Sequence, residues 1–146
     1  MKYLTLFKDS SEYLTFELLD RIDKYEYVPG EFTPKYDLAV KLKTQFYELN
    51  YRLDFLAYNL VSFRNSLNDL YHSMNGKAYL NNGFYDNDLT INIHNIGSLG
   101  KIELNLEILR YGANEGFVGE DRFLFIRGMD QSYLPELIHE LDEFLN

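Results

Sequence analysis

Apolar residues recur along most of this chain at every second position, the period of a strand with one buried face, and only twice settle into the wider spacing of a helix. Tyr3–Phe7 and Glu12–Leu19 are two apolar-rich runs separated by Lys8-Asp9-Ser10-Ser11, a cluster that favours a turn, so they read as a hairpin. Leu14, Leu18 and Ile22 recur at four-residue spacing and would also suit a helix; the Tyr, Thr and Phe content of the segment favours a strand. Pro29-Gly30 and Thr33-Pro34 are expected to break the chain into a loop. From Tyr36, Leu38, Val40, Leu42 and Phe46 alternate with Lys41, Lys43 and Gln45, and Tyr47, Leu49, Tyr51, Leu53 and Phe55 continue as another strand.

A helix is predicted to begin between Phe55 and Asn59. Its core face is Leu60, Phe63, Leu67, Leu70, Tyr71 and Met74, and Asn75-Gly76 is the expected stop. Four strands should follow, at Lys77–Leu80, Leu89–His94, Lys101–Leu109 and Arg122–Arg127. A last helix is predicted from Ser132 to Phe144 with Leu134, Leu137, Ile138, Leu141 and Leu145 in one stripe, capped by Asp130 or Ser132, with Pro135 tolerated in its first turn. Short connections favour antiparallel neighbours. The predicted class is α+β: one mostly antiparallel sheet with a long central helix and a C-terminal helix packed on one face, in a single domain over residues 1–146. One core is expected to unite Leu67, Leu70, Leu134, Ile138 and Leu141 with Ile91, Ile93, Leu104 and Leu106. No internal sequence repeat is visible.

Several short motifs in the second half carry a resemblance. Leu70-Tyr71 ends the first helix; Gly76-Lys77-Ala78-Tyr79-Leu80 and Leu89-Thr90-Ile91-Asn92-Ile93 follow as strands; Gly100-Lys101-Ile102-Glu103-Leu104 opens the next; and Asp130-Gln131-Ser132-Tyr133-Leu134 closes the last. This order resembles the WapI-type immunity proteins of bacterial toxin systems, with residues 1–50 matching poorly. The resemblance implies a non-catalytic protein with one tight partner, the cognate bacterial toxin domain, often a nuclease.

Composition narrows the field further. At 146 residues with 46% hydrophobic and 25% charged, the chain is long enough to bury a core without a covalent staple. It contains no cysteine, which removes disulfides, thiolate nucleophiles and cysteine metal sites and fits a reducing compartment. The absence of a signal-like start or a long apolar run points to a cytoplasmic protein that does not span a membrane. The net charge is −9, and it is uneven: residues 74–146 hold 12 acids against 5 Lys/Arg, whereas residues 1–73 hold 11 against 9. Such a field repels nucleic acid and anionic lipid and speeds encounter with a basic partner, although solubility alone would also account for it.

No catalytic constellation emerges. Glu136 and His139 make one Glu-x-x-His step where carboxylate di-metal sites need two, and Glu143 stands where the zinc-protease helix signature requires a second His. His139 is therefore expected to face solvent beside acids of its own helix, His72 to sit at a helix end that favours its protonated form, and His94 to occupy an exposed strand position. Gly97-Ser98-Leu99-Gly100-Lys101 lacks the phosphate-loop spacing, since Asn95 and Ile102 stand at the required positions. Gly112, Gly116 and Gly119 read as a hairpin loop, and Asp86-Asn87-Asp88 as a turn without calcium-loop spacing. No metal and no cofactor are expected. Thirteen Tyr, among them Tyr13, Tyr25, Tyr27, Tyr47 and Tyr51, exceed what a core can satisfy, so some should lie at the surface, either at an interface, which tyrosine favours, or at sheet margins as β-formers do.

These readings favour a toxin-neutralising protein over a small-ligand or structural interaction module, and over an enzyme without a recognisable motif. Two surfaces qualify for the partner. One is the sheet face opposite the helices, presenting Tyr79, Asn92, Glu103, Asn105 and Glu107. The other is the acidic face of the last helix, Glu136, Glu140 and Glu143. The pattern does not separate them, and it leaves the oligomeric state open.

Overall fold

The computed structural model describes residues 2–82, 87–97, 99–114 and 117–146, with backbone alone for 87–88, 110–114 and 117–118. Among these, β1 (Tyr3–Asp9), β2 (Glu12–Val28), β3 (Glu31–Lys43) and β4 (Glu48–Leu56) form one antiparallel sheet in chain order and lead into α1 (Ala57–Ser73). The sequence β5 (Lys77–Asn81), β6 (Asn87–Ile96), β7 (Lys101–Asn114), β8 (Phe117–Asp130) and α2 (Tyr133–Leu145) then repeats that arrangement. The topology is thus four strands and a helix, twice, with no matching repeat in the sequence.

Alternation explains which face each sheet buries. Leu14 and Phe16, Leu38, Val40 and Leu42, and Leu53 and Phe55 point inward from the first sheet. Ala78 and Leu80, Ile91 and Ile93, Ile102, Leu104 and Leu106, and Phe125 do so from the second. One continuous cluster joins these to Leu60, Phe63, Leu67 and Leu70 of α1 and to Leu134, Leu137, Ile138, Leu141 and Phe144 of α2. All nine residues expected to share a core belong to it. Direct ties between the sheets supplement the shared burial: Phe7 meets Phe125 edge to face at 5.7 Å, and Arg127 donates two hydrogen bonds of 3.0 Å to the carboxylate of Glu12.

α2 ties down the first sheet. The backbone N–H of Thr5 on edge strand β1 donates to Glu140 Oε2 at 2.6 Å, and Lys2 Nζ donates to the Glu143 carbonyl at 2.8 Å. Phe144 stacks on Tyr36 of β3 with ring centres 5.9 Å apart, while Asp142 accepts from Arg64 Nε of α1 at 2.7 Å. The corner that aims α2 is built locally. Asp130 Oδ1 accepts the Ser132 N–H at 2.9 Å, the Gln131 N–H donates to the Gly100 carbonyl at 2.9 Å, and the Tyr133 hydroxyl donates to the Lys8 carbonyl. Gly100 has φ +70°, and a Cβ there would lie 2.8 Å from the Gln131 side chain.

Several expectations are corrected. The strands form two sheets rather than one, because alternation identifies a buried face but not its neighbours, and the β4-α1-β5 connection starts a new sheet instead of returning to the first. At 17 residues against 13 in α2, α1 is not a long central helix. The Pro29–Pro34 segment is no loop: β2 and β3 pair on both sides of a tight turn at Pro29-Gly30. Pro34 is accommodated because the β2–β3 register is irregular between Ile22 and Tyr25 and β4 pairing starts only at Lys35. Phe46 lies outside the strands and is 88% exposed, since the Thr44 hydroxyl accepts the Phe46 and Tyr47 N–H groups and turns the chain. Tyr71 faces solvent instead of the core, and the left-handed residue ending α1 is Met74, ahead of Asn75-Gly76. Gly112 pairs with Gly119 within the β7–β8 ladder, and Asn87 and Asp88 belong to β6; Asp86, Ser98 and Gly116 lie outside the described residues.

Leu104→Ala or Leu141→Ala should lower the unfolding free energy by ~2–5 kcal/mol in denaturant titrations, since both side chains are fully buried. Gly100→Ala should cost about 1–3 kcal/mol, and more than Gly97→Ala, which shares the positive φ but would meet no neighbour within 4 Å.

Candidate partner-binding surface

The second sheet turns its other face to solvent, and strand register decides what that face displays. Tyr79, Asn92, Asn105 and Ile126 stand abreast across β5, β6, β7 and β8. One step to either side lie the rows Lys77, His94, Glu103, Gly128 and Asn81, Thr90, Glu107, Leu124. All five residues expected on this face are therefore brought together on it. Glu136, Glu140 and Glu143 are on α2, which packs against β1 and α1, so the two expected surfaces are distinct.

The sheet face is mixed in character. Asn105 Nδ2 donates to Glu103 Oε1 at 3.2 Å, and the same carboxylate oxygen lies 3.7 Å from His94 Nε2. Glu107 is 3.7 Å from Arg122 Nε, an exposed pair of little energetic weight. Leu124 and Ile126 are 56% and 45% exposed, and Tyr79 is 49% exposed. Leu124 and Ile126 were missed as surface candidates, although the run Phe123-Leu124-Phe125-Ile126 is apolar on both faces of its strand and thereby hints that its outer side is meant to be covered. At the centre, Asn92 Oδ1 is buried with no hydrogen-bond donor reaching it. An acceptor taken out of water without a partner costs about 1–3 kcal/mol, so folding alone does not favour Asn at this position.

On α2 the acids differ from one another. Glu140 accepts the Thr5 N–H and lines a 280 Å³ cleft with Lys8, Tyr133 and Glu136. Burial holds its carboxyl above the ordinary value, assisted by Glu136 and Glu143 and opposed by the Thr5 hydrogen bond. Glu143 is 3.2 Å from His139 Nε2, so this histidine pairs with its own helix as expected. Among the described residues no cluster of three metal-capable side chains occurs. No described helix is long and apolar enough to cross a membrane.

Across residues 5–146 the sequence matches the Immunity protein WapI-like family. The chain belongs to that family. The match takes in the N-terminal strands, beyond the second-half motifs that suggested it, and those motifs now have a physical reading: Gly100 and Asp130-Gln131-Ser132-Tyr133 build the corner before α2. No curated protein matches the chain. Among solved structures, the plant transcriptional regulator PBF-2 aligns with TM-score 0.52 at 7% identity, covering 99% of this chain and 81% of that one. That likeness concerns the fold alone.

Two measurements follow. Asn92→Val should raise the unfolding free energy by about 1 kcal/mol, because it replaces a buried unpaired acceptor with a good strand former. For Glu140, a folded value raised above the unfolded one means a contribution to stability that is full in acid and lost as pH rises through the folded value. Glu140→Gln keeps an acceptor for Thr5 and should therefore stabilise the chain at about pH 7 while changing little at about pH 4, read by thermal melts. Glu12 and Asp142, held low by Arg127 and Arg64, have the opposite sign and contribute near neutrality.

Proposed function

We propose that this chain neutralises a cognate toxin domain by covering it with the outer face of the second sheet, without catalysis, and that the partner is a basic nuclease domain met in the cytoplasm. Family membership supplies the class of partner. The observation that favours this face is the unpaired acceptor of Asn92, set among exposed Tyr79, Leu124 and Ile126 and flanked by Glu103 and Glu107. Apolar area, an unsatisfied polar group and carboxylates suit a surface whose wet state is provisional. A chain of net charge −9 also suits a basic target, because opposite fields accelerate encounter and an acidic cover occupies the ground that phosphate would take. Glu136 and Glu143 on α2 remain the competing contact, whereas Glu140 is committed to β1.

The test takes as partner the toxin-like C-terminal domain that this reading expects in a secreted protein encoded beside this chain's gene. The two should co-purify. Reversing Glu103 and Glu107 together should slow association by about tenfold and flatten its salt dependence, with thermal stability little changed. Should that variant associate at the original rate while Glu136→Lys with Glu143→Lys does not, the contact lies on α2.

A further inference from the structure

Beyond Tyr79, the outer face does not end at the edge of β5. Tyr79 and Asn81 form one wall of a cleft of about 370 Å³ whose other wall is Tyr58, Asn59 and Ser62 from the first turns of α1. Tyr58, in the first turn of α1, is 55% exposed and lies off the buried stripe of Leu60, Phe63, Leu67 and Leu70. Its ring lies 6.4 Å from that of Tyr27 on the β2–β3 arm, and the Tyr27 hydroxyl donates to Glu31 Oε2 at 2.7 Å. Among the described residues the lining thus offers two tyrosine rings, two carboxamides and a hydroxyl and carries no charged side chain.

Resting on the reading that the partner is a basic toxin domain, we propose that this cleft is the anchor of the interface and takes one arginine side chain of that domain, stacked against Tyr58 and Tyr79. Charge decides the occupant. The chain carries −9, no Lys or Arg among the described residues lines the cleft, and an aromatic wall attracts a cation through its ring quadrupole. The fold already uses this chemistry: Lys35 Nζ sits 4.4 Å from the Tyr25 ring centre, Arg21 Cζ 5.3 Å from that of Tyr36, and Arg127 Cζ 4.2 Å from that of Phe125. Arginine suits the site better than lysine because its planar head stacks on a ring while its edge donates to carboxamide oxygens. Tyr79 belongs to both the cleft and the sheet face, so an arginine seated here lies at the margin of the same footprint.

The test is calorimetric titration of the cognate toxin domain with Tyr58 and Tyr79 changed singly to Phe, Leu and Ala, each variant checked by thermal melting. Phe keeps the ring and should bind within about threefold of the original; Leu keeps bulk without a quadrupole and should weaken binding about tenfold, as should Ala. An arginine of the toxin domain whose replacement by Ala is non-additive with Tyr58→Ala would identify the occupant. Leu variants that bind as tightly as the original chain would make the occupant apolar and overturn the inference. Ala variants within twofold would remove the cleft from the interface, again overturning it while leaving the proposed function intact. If the unaltered chain does not bind the domain at all, the proposed function fails and this inference fails with it.

Discussion

Two antiparallel sheets, each apolar on one side, lose that surface to a common core only if the edges left between them are closed, and here the two helices close them together, α1 reaching strands of both sheets and the apolar stripe of α2 packing on β1 and α1. Leu134, Leu137, Ile138, Leu141 and Phe144 are buried together, and the polar margins of the same helix reach the N–H of Thr5 on β1 and the guanidinium of Arg64 on α1. A helix can do this only at a fixed angle. That angle is set by a corner in which Gly100 leaves room for Gln131 and Asp130 accepts the Ser132 N–H, while α2 itself carries no side-chain cap of the kind expected from Asp130 or Ser132. The family signature in the second half is therefore largely an instruction for placing α2, which separates it from the residues offered to a partner.

Much of the secondary structure was legible because alternation is a strong signal wherever one face is buried. β1, β4, both helices and the cores of β5 to β8 follow directly from it, and the shared core residues emerged with the correct phase. What alternation could not convey was sheet membership, since a strand with one apolar face looks the same whichever neighbours it pairs with. Pro34 misled because proline usually interrupts a strand; here it sits where the ladder is irregular and no β4 residue is yet opposite. Phe46 continued the alternating pattern by accident, and the Thr44 turn that expelled it has no hydrophobic signature.

The face of the second sheet was legible residue by residue, because period two assigns sides reliably. Its apolar members Leu124 and Ile126 were not, since an isolated apolar strand reads as core on both sides. Tyr58 was equally hidden: position in the first turn of a helix does not reveal that β5 will come alongside and make a wall opposite it. Such juxtapositions arise from tertiary structure, which is why the five lining residues of that cleft come from two segments roughly twenty residues apart.

The repeated order of four strands and a helix has a consequence for how the chain comes into being. Each half lends its helix to the other: α1 lies along β5, and α2, made after both sheets, lies along β1, some 135 positions earlier at the Thr5–Glu140 bond. During vectorial synthesis the first sheet must wait with its edge strand unsealed until α2 has emerged. Closing such distant contacts is slow, and an unsealed edge is an invitation to pair with the wrong strand. A change that keeps α2 from docking would thus leave β1 open to strand pairing between copies of the chain, before any question of partner recognition arises.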